Sequence, residues 1–327
     1  MSLLQKIAAR SIGVLIAAGL ATPGFAQASV KLWNIHPDGY PVTEALKSFA
    51  EEVKKTTDGR IAIEVVSNGA LGDQPQAVQL MKSSKLDMAE FNLAALAEAV
   101  PSMKSINLPF LFADSQHMFR LLDGAMGEGF RTRLAAGGYV VLGWYDGGAR
   151  SFYCVNKRLT GPRDFAGLRI RVQNTEAFTE MVKLLGATPV SVPYKEVLAA
   201  FEQGKIDCAE NNLPSYVSAG HYKVAKHVFL TSHVVAPEAL VVSSKAWATF
   251  SPADQAKILE AGKKSALYMR ELWNKRVNDS RDIAAKAGST FERPIEFGAY
   301  VSRMKPLHQK YWKDPETRNE LVTILAN

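Results

Sequence analysis

The chain has 327 residues, with 39 lysines and arginines against 32 aspartates and glutamates, a formal net charge of +7, and 47% hydrophobic residues. That composition excludes a disordered or collagen-like chain, and the basic excess is scattered rather than gathered into a nucleic-acid- or membrane-binding block. Mean hydropathy is -0.06, and no apolar run reaches the length of about 18 residues that would read as a bilayer span.

Met1 to Arg10 carries Lys6 and Arg10 and no acid, Ile12 to Leu20 is short and apolar, and Ala26-Gln27-Ala28 fits a small-x-small cleavage site. Residues 1–28 therefore read as a secretory signal peptide, with cleavage after Ala28 or Ala26. The alternative, a buried N-terminal helix, is disfavoured by Pro23-Gly24. Val30 to Trp33 then reads as a strand, Thr43 to Thr56 as an amphipathic helix ending at Asp58-Gly59, and Ile61 to Val66 as an alternating strand. Strand, helix, strand is the parallel α/β signature. It continues as helix Pro75 to Ser84 and strand Leu86 to Phe91. Strands follow at Val140 to Trp144, Ser151 to Tyr153 and Leu168 to Val172. Helices Thr175 to Leu185 and Lys195 to Gln203 precede a strand within Lys205 to Glu210. Pro252 to Ala287 lacks an internal breaker and predicts one long helix, either a plain core helix or one spanning two lobes. A mature chain of about 300 residues exceeds what one core usually serves, so two lobes are expected.

One internal echo supports that. Gln74 to Asn92 and Tyr194 to Asn212 align at a constant offset, and Lys85/Lys205, Asp87/Asp207, Ala89/Ala209, Glu90/Glu210 and Asn92/Asn212 coincide. Each unit is a helix feeding a strand that ends Glu-x-Asn. Ligands of open α/β sheets sit beyond the strands' carboxyl ends, so Asn92 and Asn211-Asn212 belong at two facing mouths.

No Walker A, G-x-G-x-x-G, G-x-S-x-G or H-E-x-x-H motif is present, so no nucleotide, cofactor or metal is expected. The glycines of Gly124 to Gly129 read as a helix-terminating turn, and His221 with His227 as a solvated helix pair. Cys154 and Cys208 read as free buried thiols, with a bridge between them as the minority reading. Cations give the sharpest signal. In Leu168-Arg169-Ile170-Arg171-Val172, alternation sends Arg169 and Arg171 to one face, and Arg150 follows the Gly147-Gly148 pair. Two guanidinium forks suit one carboxylate, although either arginine alone fits a structural ion pair equally well.

Leu71-Gly72-Asp73, Leu108-Pro109-Phe110-Leu111-Phe112, Gly167-Leu168-Arg169-Ile170-Arg171, Gly186-Ala187-Thr188-Pro189-Val190, Glu196-Val197 with Gly204-Lys205-Ile206-Asp207, and Glu210-Asn211 together resemble the substrate-binding subunits of tripartite ATP-independent periplasmic (TRAP) transporters. The resemblance covers almost the whole mature chain. It implies a two-lobed α/β periplasmic binding protein with crossing strands and a long lobe-spanning helix. Such a protein is not an enzyme; it closes over an organic acid and delivers it to a separate membrane permease. By resemblance, Arg171 is the principal carboxylate-binding arginine, Arg150 the second, and Asn211 completes the anion site. Tyr194 falls at an aromatic contact and His233 at the cleft edge. Asp207-Cys208-Ala209-Glu210-Asn211-Asn212 departs from the commoner Asp-Gly-Gln-Glu-Asn pattern.

The boundaries expected on this picture are 29–147 plus 237–273 for lobe I and 148–236 plus 274–327 for lobe II, in a monomer. Many hydroxyl-bonding groups fall near strand ends: His36, Asn92, Tyr145, Asp146, Gln173, Asn211, Asn212 and Glu238. Left without partners they are costly to bury, which points to a polyhydroxylated acid. Tyr145 and Tyr194 either cover a sugar's apolar face or pack in the core or rim. The segments His36-Pro37-Asp38-Gly39-Tyr40-Pro41, Gly148-Ala149-Arg150-Ser151-Phe152 and Glu210 to Tyr216 also resemble hexuronate-binding TRAP members. D-galacturonate or D-glucuronate is the expected ligand, ahead of shorter aldonates and C4-dicarboxylates. An ATP-driven importer's subunit and an exported sugar-acid enzyme are the rival readings.

Overall fold

The computed structural model describes residues 28–327. All of the expected signal peptide but its last position lies outside the described residues. The described strands are β1 (Ala28–Trp33), β2 (Ile61–Val66), β3 (Met88–Asn92), β4 (Tyr139–Cys154), β5 (Arg169–Val172), β6 (Thr188–Ser191), β7 (Cys208–Asn211), β8 (His227–Ser243) and β9 (Thr290–Glu292). They form one sheet in the order β2-β1-β3-β8-β4-β7-β5-β6, with β9 beside β8. At one end β1 pairs parallel with β2 and β3; at the other β5 pairs parallel with β6 and β7. The long antiparallel strands β4 and β8 join the two parallel halves, β8 to β3 and β4 to β7. This is the two-lobed α/β architecture, with the echoed strands β3 and β7 each beside a crossing strand.

Each half of the sheet is covered on both faces, as parallel sheets require. In the first half, Phe91, Ala89 and Val241 face Phe130 and Leu134. Leu32, Met88 and Leu240 face Leu46, Phe49 and Ile258. In the second half, Ile170 and Val172 face Phe178 and Met181, while Ala209 and Tyr153 face Phe201 and Tyr216.

The crossing is more continuous than expected. Val140–Trp144 and Ser151–Tyr153 are parts of one strand, and the pairing of β4 with β8 shifts register between Asp146 and Ala149. Pro237 sits opposite Asp146 there, where its missing N–H suits an irregularity better than a regular ladder. Gly148 has φ +71, and a Cβ on it would stand 2.6 Å from the Trp273 ring. Only glycine lets the crossing backbone meet that indole.

The long helix runs Pro252–Lys286, started by Ser251, whose hydroxyl accepts from the Asp254 amide. Ile258, Ala261, Met269 and Trp273 lie in the first half's core, and Ala284 lies in the second's. It therefore spans both lobes. A Cβ on Gly262 would come 2.6 Å from the Leu142 carbonyl, so glycine permits the helix to lie against β4. The tail reaches both lobes too. Tyr300 and Met304 pack beside Phe165, while Leu321 and Ile324 pack beside Val100 and Phe130. Glu320 pairs with Arg133. Any assignment of 274–327 must accommodate those first-lobe contacts.

Three expectations need correction. Cys154 and Cys208 are not free thiols; they face each other across β4 and β7 with Cα atoms 4.0 Å apart and form a disulfide. Facing positions of an antiparallel pair bring side chains close, a register the sequence does not display. His221 and His227 are not a solvated helix pair. His221 is buried in a short 3₁₀ turn, where its Nδ1 bonds the Tyr153 hydroxyl at 2.9 Å, and His227 starts β8. Of the clustered glycines only Gly124 marks a turn; Gly127 and Gly129 lie inside helix Ala125–Ala136. The bridge closes a loop with a sequence separation of 54. Cys154→Ser/Cys208→Ser should lower unfolding free energy by about 2–4 kcal/mol, read as a reduced urea midpoint that thiol reductant reproduces only in the wild type.

Candidate functional site

A cavity of about 270 Å³ opens between the lobes, far above the roughly 10–15 Å³ one water needs. The first lobe contributes His36, Asp73, Gln74, Gln76 and Asn92. The second contributes Arg171, Gln173, Tyr194, Asn211 and Asn212, and the crossing strands contribute Arg150 and Glu238. The lobes touch around it. The Tyr194 amide donates to Asp73 Oδ2 at 3.2 Å, the Phe110 amide donates to the His233 carbonyl at 2.7 Å, and Lys104 pairs with Glu176 at 3.1 Å.

The two arginines differ in their engagement. Arg150, buried in β4, grips Glu210 with Nε at 2.6 Å and Nη2 at 2.8 Å. It also donates through Nη2 to the Glu210 carbonyl at 3.0 Å and through Nη1 to Asn211 Oδ1 at 2.9 Å. Four of its five N–H groups are therefore in use. Burial works against the Glu210 charge, yet Arg150 and His233 hold its pKa below the ordinary carboxylate value. Arg171, also buried, donates only its Nε–H, to the Val192 carbonyl at 2.9 Å. Among the described residues its fork has no carboxylate partner. A buried, charged fork on the wall of a cavity suits an anion.

Other polar groups divide into aimed and committed. Asn211 Oδ1 also accepts from the Asn212 amide at 2.9 Å, leaving its Nδ2 donors without a protein partner among the described residues. Asn92 and Asn212 line the cavity, but each caps a helix, accepting from Ala94 and Ser215 amides at 2.9 and 2.7 Å. Asn212 Nδ2 further donates to the Gly147 carbonyl at 2.7 Å. His36 stacks on Tyr40 with centroids 3.9 Å apart, and burial, helped by the Arg150 charge, lowers its pKa to about 3. It is neutral, one nitrogen donating and the other accepting.

Eight of the ten singled-out residues thus meet at one cavity: Arg150, Arg171, Asn211, Asn92, His36, Gln173, Tyr194 and Asn212. Two lie elsewhere. Tyr145 is enclosed in the first lobe's core, its hydroxyl 2.5 Å from Ser265 Oγ. His233 stands behind the wall, with Nε2 3.3 Å from Glu210 Oε2, Nδ1 2.8 Å from Thr231 Oγ1, and its ring stacked on Phe152. Residues not singled out include Asp73 and Gln74 at a helix start, where Asp73 Oδ1 caps Gln74 at 2.9 Å and Gln74 Oε1 accepts from the Asn92 amide at 3.0 Å. Glu210 was legible only as part of the repeated Glu-x-Asn.

Two α/β lobes joined by crossing strands, with a cavity between them that carries many polar side chains, are the architecture of a solute-binding protein. Residues 33–314 match the model of the bacterial extracellular solute-binding proteins, family 7, and the chain belongs to that family. Its members bind solutes of TRAP systems and are not enzymes. A solute-binding protein of Chromohalobacter salexigens is 37% identical over 320 residues, covering 98% of this chain and 95% of that protein. A TRAP periplasmic solute-binding protein structure from that species, with bound D-glucuronate, has a TM-score of 0.88 at 37% identity, covering 90% of this chain and 98% of that one. A Bradyrhizobium counterpart in complex with α/β-D-galacturonate has a TM-score of 0.89 at 37% identity, covering 92% and 100%.

The buried Arg150–Glu210 pair sets a prediction of its own. Glu210→Ala strands a buried guanidinium and should cost about 3–5 kcal/mol of stability in urea unfolding. A loss below about 1 kcal/mol would mean that the pair contributes little to holding the crossing strand.

Proposed function

We propose that this protein is exported to the periplasm, captures a hexuronate such as D-galacturonate or D-glucuronate, and hands it to a TRAP membrane permease. The observation that carries the reading is the uncommitted Arg171 fork in a cavity whose wall combines many hydroxyl-bonding groups with apolar Ile35, Pro75, Ala95, Val192 and Pro193. Arg171 grips the carboxylate through its two Nη groups. Arg150, fixed by Glu210, adds its one remaining N–H, and Asn211 adds an amide. The clamp is therefore unequal: one arginine binds and the other mainly places. His36, Gln74, Gln173 and Tyr194 meet the hydroxyls and ring. The hexuronates bound by the Chromohalobacter and Bradyrhizobium proteins support a sugar acid of this size.

Binding needs no chemistry. A monomer opens and closes about β4, β8 and the long helix, and ligand contacts made by both lobes favour the closed form. The expected lobes, 29–147 plus 237–273 and 148–236 plus 274–327, are the moving bodies, except that the end of the tail, which carries Leu321 and Ile324, goes with the first lobe. Shorter aldonates and C4-dicarboxylates fill the cavity and satisfy its polar groups less completely.

A thermal-shift and calorimetric panel tests this. D-galacturonate or D-glucuronate should stabilise the protein by about 2.7 kcal/mol at 100 times the dissociation constant and, at matched concentration, by more than erythronate, succinate or malate. Arg171→Lys keeps charge but loses the fork and should weaken binding about ten- to a hundredfold. Stabilisation by succinate or malate alone would defeat the hexuronate assignment. Affinity within about twofold in both Arg171→Lys and Arg171→Ala would remove Arg171 as the anchor.

A further inference from the structure

The two echoed glutamates have opposite partners. Glu210 meets Arg150. Glu90, its counterpart on β3, meets another glutamate. In the β3–β8 register Asn92 faces Glu238 and Glu90 faces Leu240, so Glu90 and Glu238 are diagonal neighbours on one sheet face. They lie with His36 in a group whose ligand atoms are all within 4.8 Å of one another, and all three side chains are buried. Among the described residues no lysine or arginine forms a salt bridge with either carboxylate. Among the described residues Glu90 Oε1 and His36 Nδ1 have no hydrogen-bond partner. Tyr40 faces the pair from its helix, Tyr145, Asp146 and Arg150 from β4, and His36 from the β1 loop. Arg150 is committed to Glu210; from the long helix Trp273 packs on Tyr40, Ser265 bonds Tyr145, and Arg270, paired with Asp123, acts on Asp146.

Two carboxylates brought together out of water cannot both stay ionised; they share a proton. Glu90 is fully enclosed, whereas Glu238 lines the cavity. The shared proton therefore sits between an inner acid and an outer carboxylate. We propose that Glu238 is a hydroxyl-reading acceptor of the solute cavity and that Glu90, which donates the shared proton to it, is its positioning residue. This rests on the reading of the solute as a polyhydroxylated monocarboxylic acid, and it deepens that reading. A carboxylate accepts from a sugar hydroxyl and repels a second carboxylate, so it selects uronates over diacids of the same length. Burial first, and then the neighbouring glutamate's charge, raise the pKa of Glu90; burial likewise raises that of Glu238. Closure over an anion encloses the pair further, which strengthens its hold on the proton.

Titration calorimetry of D-galacturonate into the full mature protein, at mildly alkaline pH in phosphate and in Tris, reads this directly. The wild type should take up part of a proton on binding, and its affinity should fall with rising pH by up to about tenfold per unit. In Glu90→Gln the amide donates permanently to Glu238, so both the uptake and the slope should vanish. Glu238→Gln keeps size but loses charge. It should weaken galacturonate about tenfold or more and narrow the preference for galacturonate over galactarate. Wild-type binding without proton uptake, or an equal slope in Glu90→Gln, would overturn the proposal while leaving the uronate reading intact. So would binding that a chelator abolishes and a divalent cation restores, because a metal would then occupy the group. If the wild type binds none of the sugar acids, the uronate reading fails and takes this inference with it.

Discussion

The ion pair between Arg150 and Glu210 is the contact from which the site is built. Neither partner reaches solvent appreciably, and each desolvated charge would be costly alone. Together they fix three things. Arg150 orients Asn211 through its Oδ1, Glu210 holds the ring of His233, and the crossing strand β4 is locked to β7 beside the Cys154–Cys208 bridge. The pair also balances its own charge. Among the described residues the Arg171 fork lies on the cavity wall without a salt-bridge partner, and on the proposed reading it matches one carboxylate. Two free guanidinium groups side by side would repel each other and favour a dianion.

The hinge obeys a second constraint, that backbone must pass where both lobes and a helix converge. β4 and β8 are long because they belong to both halves of the sheet, and their pairing loses register at Asp146 and Ala149. Gly148 and Pro237 accommodate that irregularity in different ways, one by a left-handed φ under the Trp273 indole and the other by having no N–H to satisfy. Glu238 follows Pro237 directly, so a cavity-lining acid sits beside the irregular stretch of the crossing. On the proposed closure, ligand contact and lobe movement are coupled through adjacent residues.

Local pattern made much of this legible. Alternation in Leu168 to Val172 separated Arg171 from the packed side chains, and helix-to-strand order gave the parallel halves. The echo between Gln74–Asn92 and Tyr194–Asn212 located both mouths. What remained hidden depends on pairings between distant residues. The strand β8 is interrupted in sequence by Pro237 and carries His233 and Thr231 among its valines, so it does not read as one element. The disulfide follows from a β4–β7 register that neither segment encodes alone. Tyr145 has the polarity of a ligand contact, yet its hydroxyl is taken by Ser265, 120 residues away. His233 was expected at the cleft edge by its resemblance to the TRAP binding proteins; it stands one layer back, bonded to Glu210.

The repeated Glu-x-Asn explains how one motif serves two lobes with different duties. In both copies the final asparagine side chain is spent on capping the next helix, at Ala94 in one and Ser215 in the other. That role is local, and repeating the motif repeats it. The glutamate two residues earlier points toward whatever the crossing strand presents, and the crossing strands differ. β4 offers Arg150 and β8 offers Glu238. The same backbone device thus yields an ion pair on one wall and a carboxyl pair on the other. On the proposed reading, a cavity that carries both a guanidinium fork and a carboxylate fits a solute with one carboxylate and several hydroxyls.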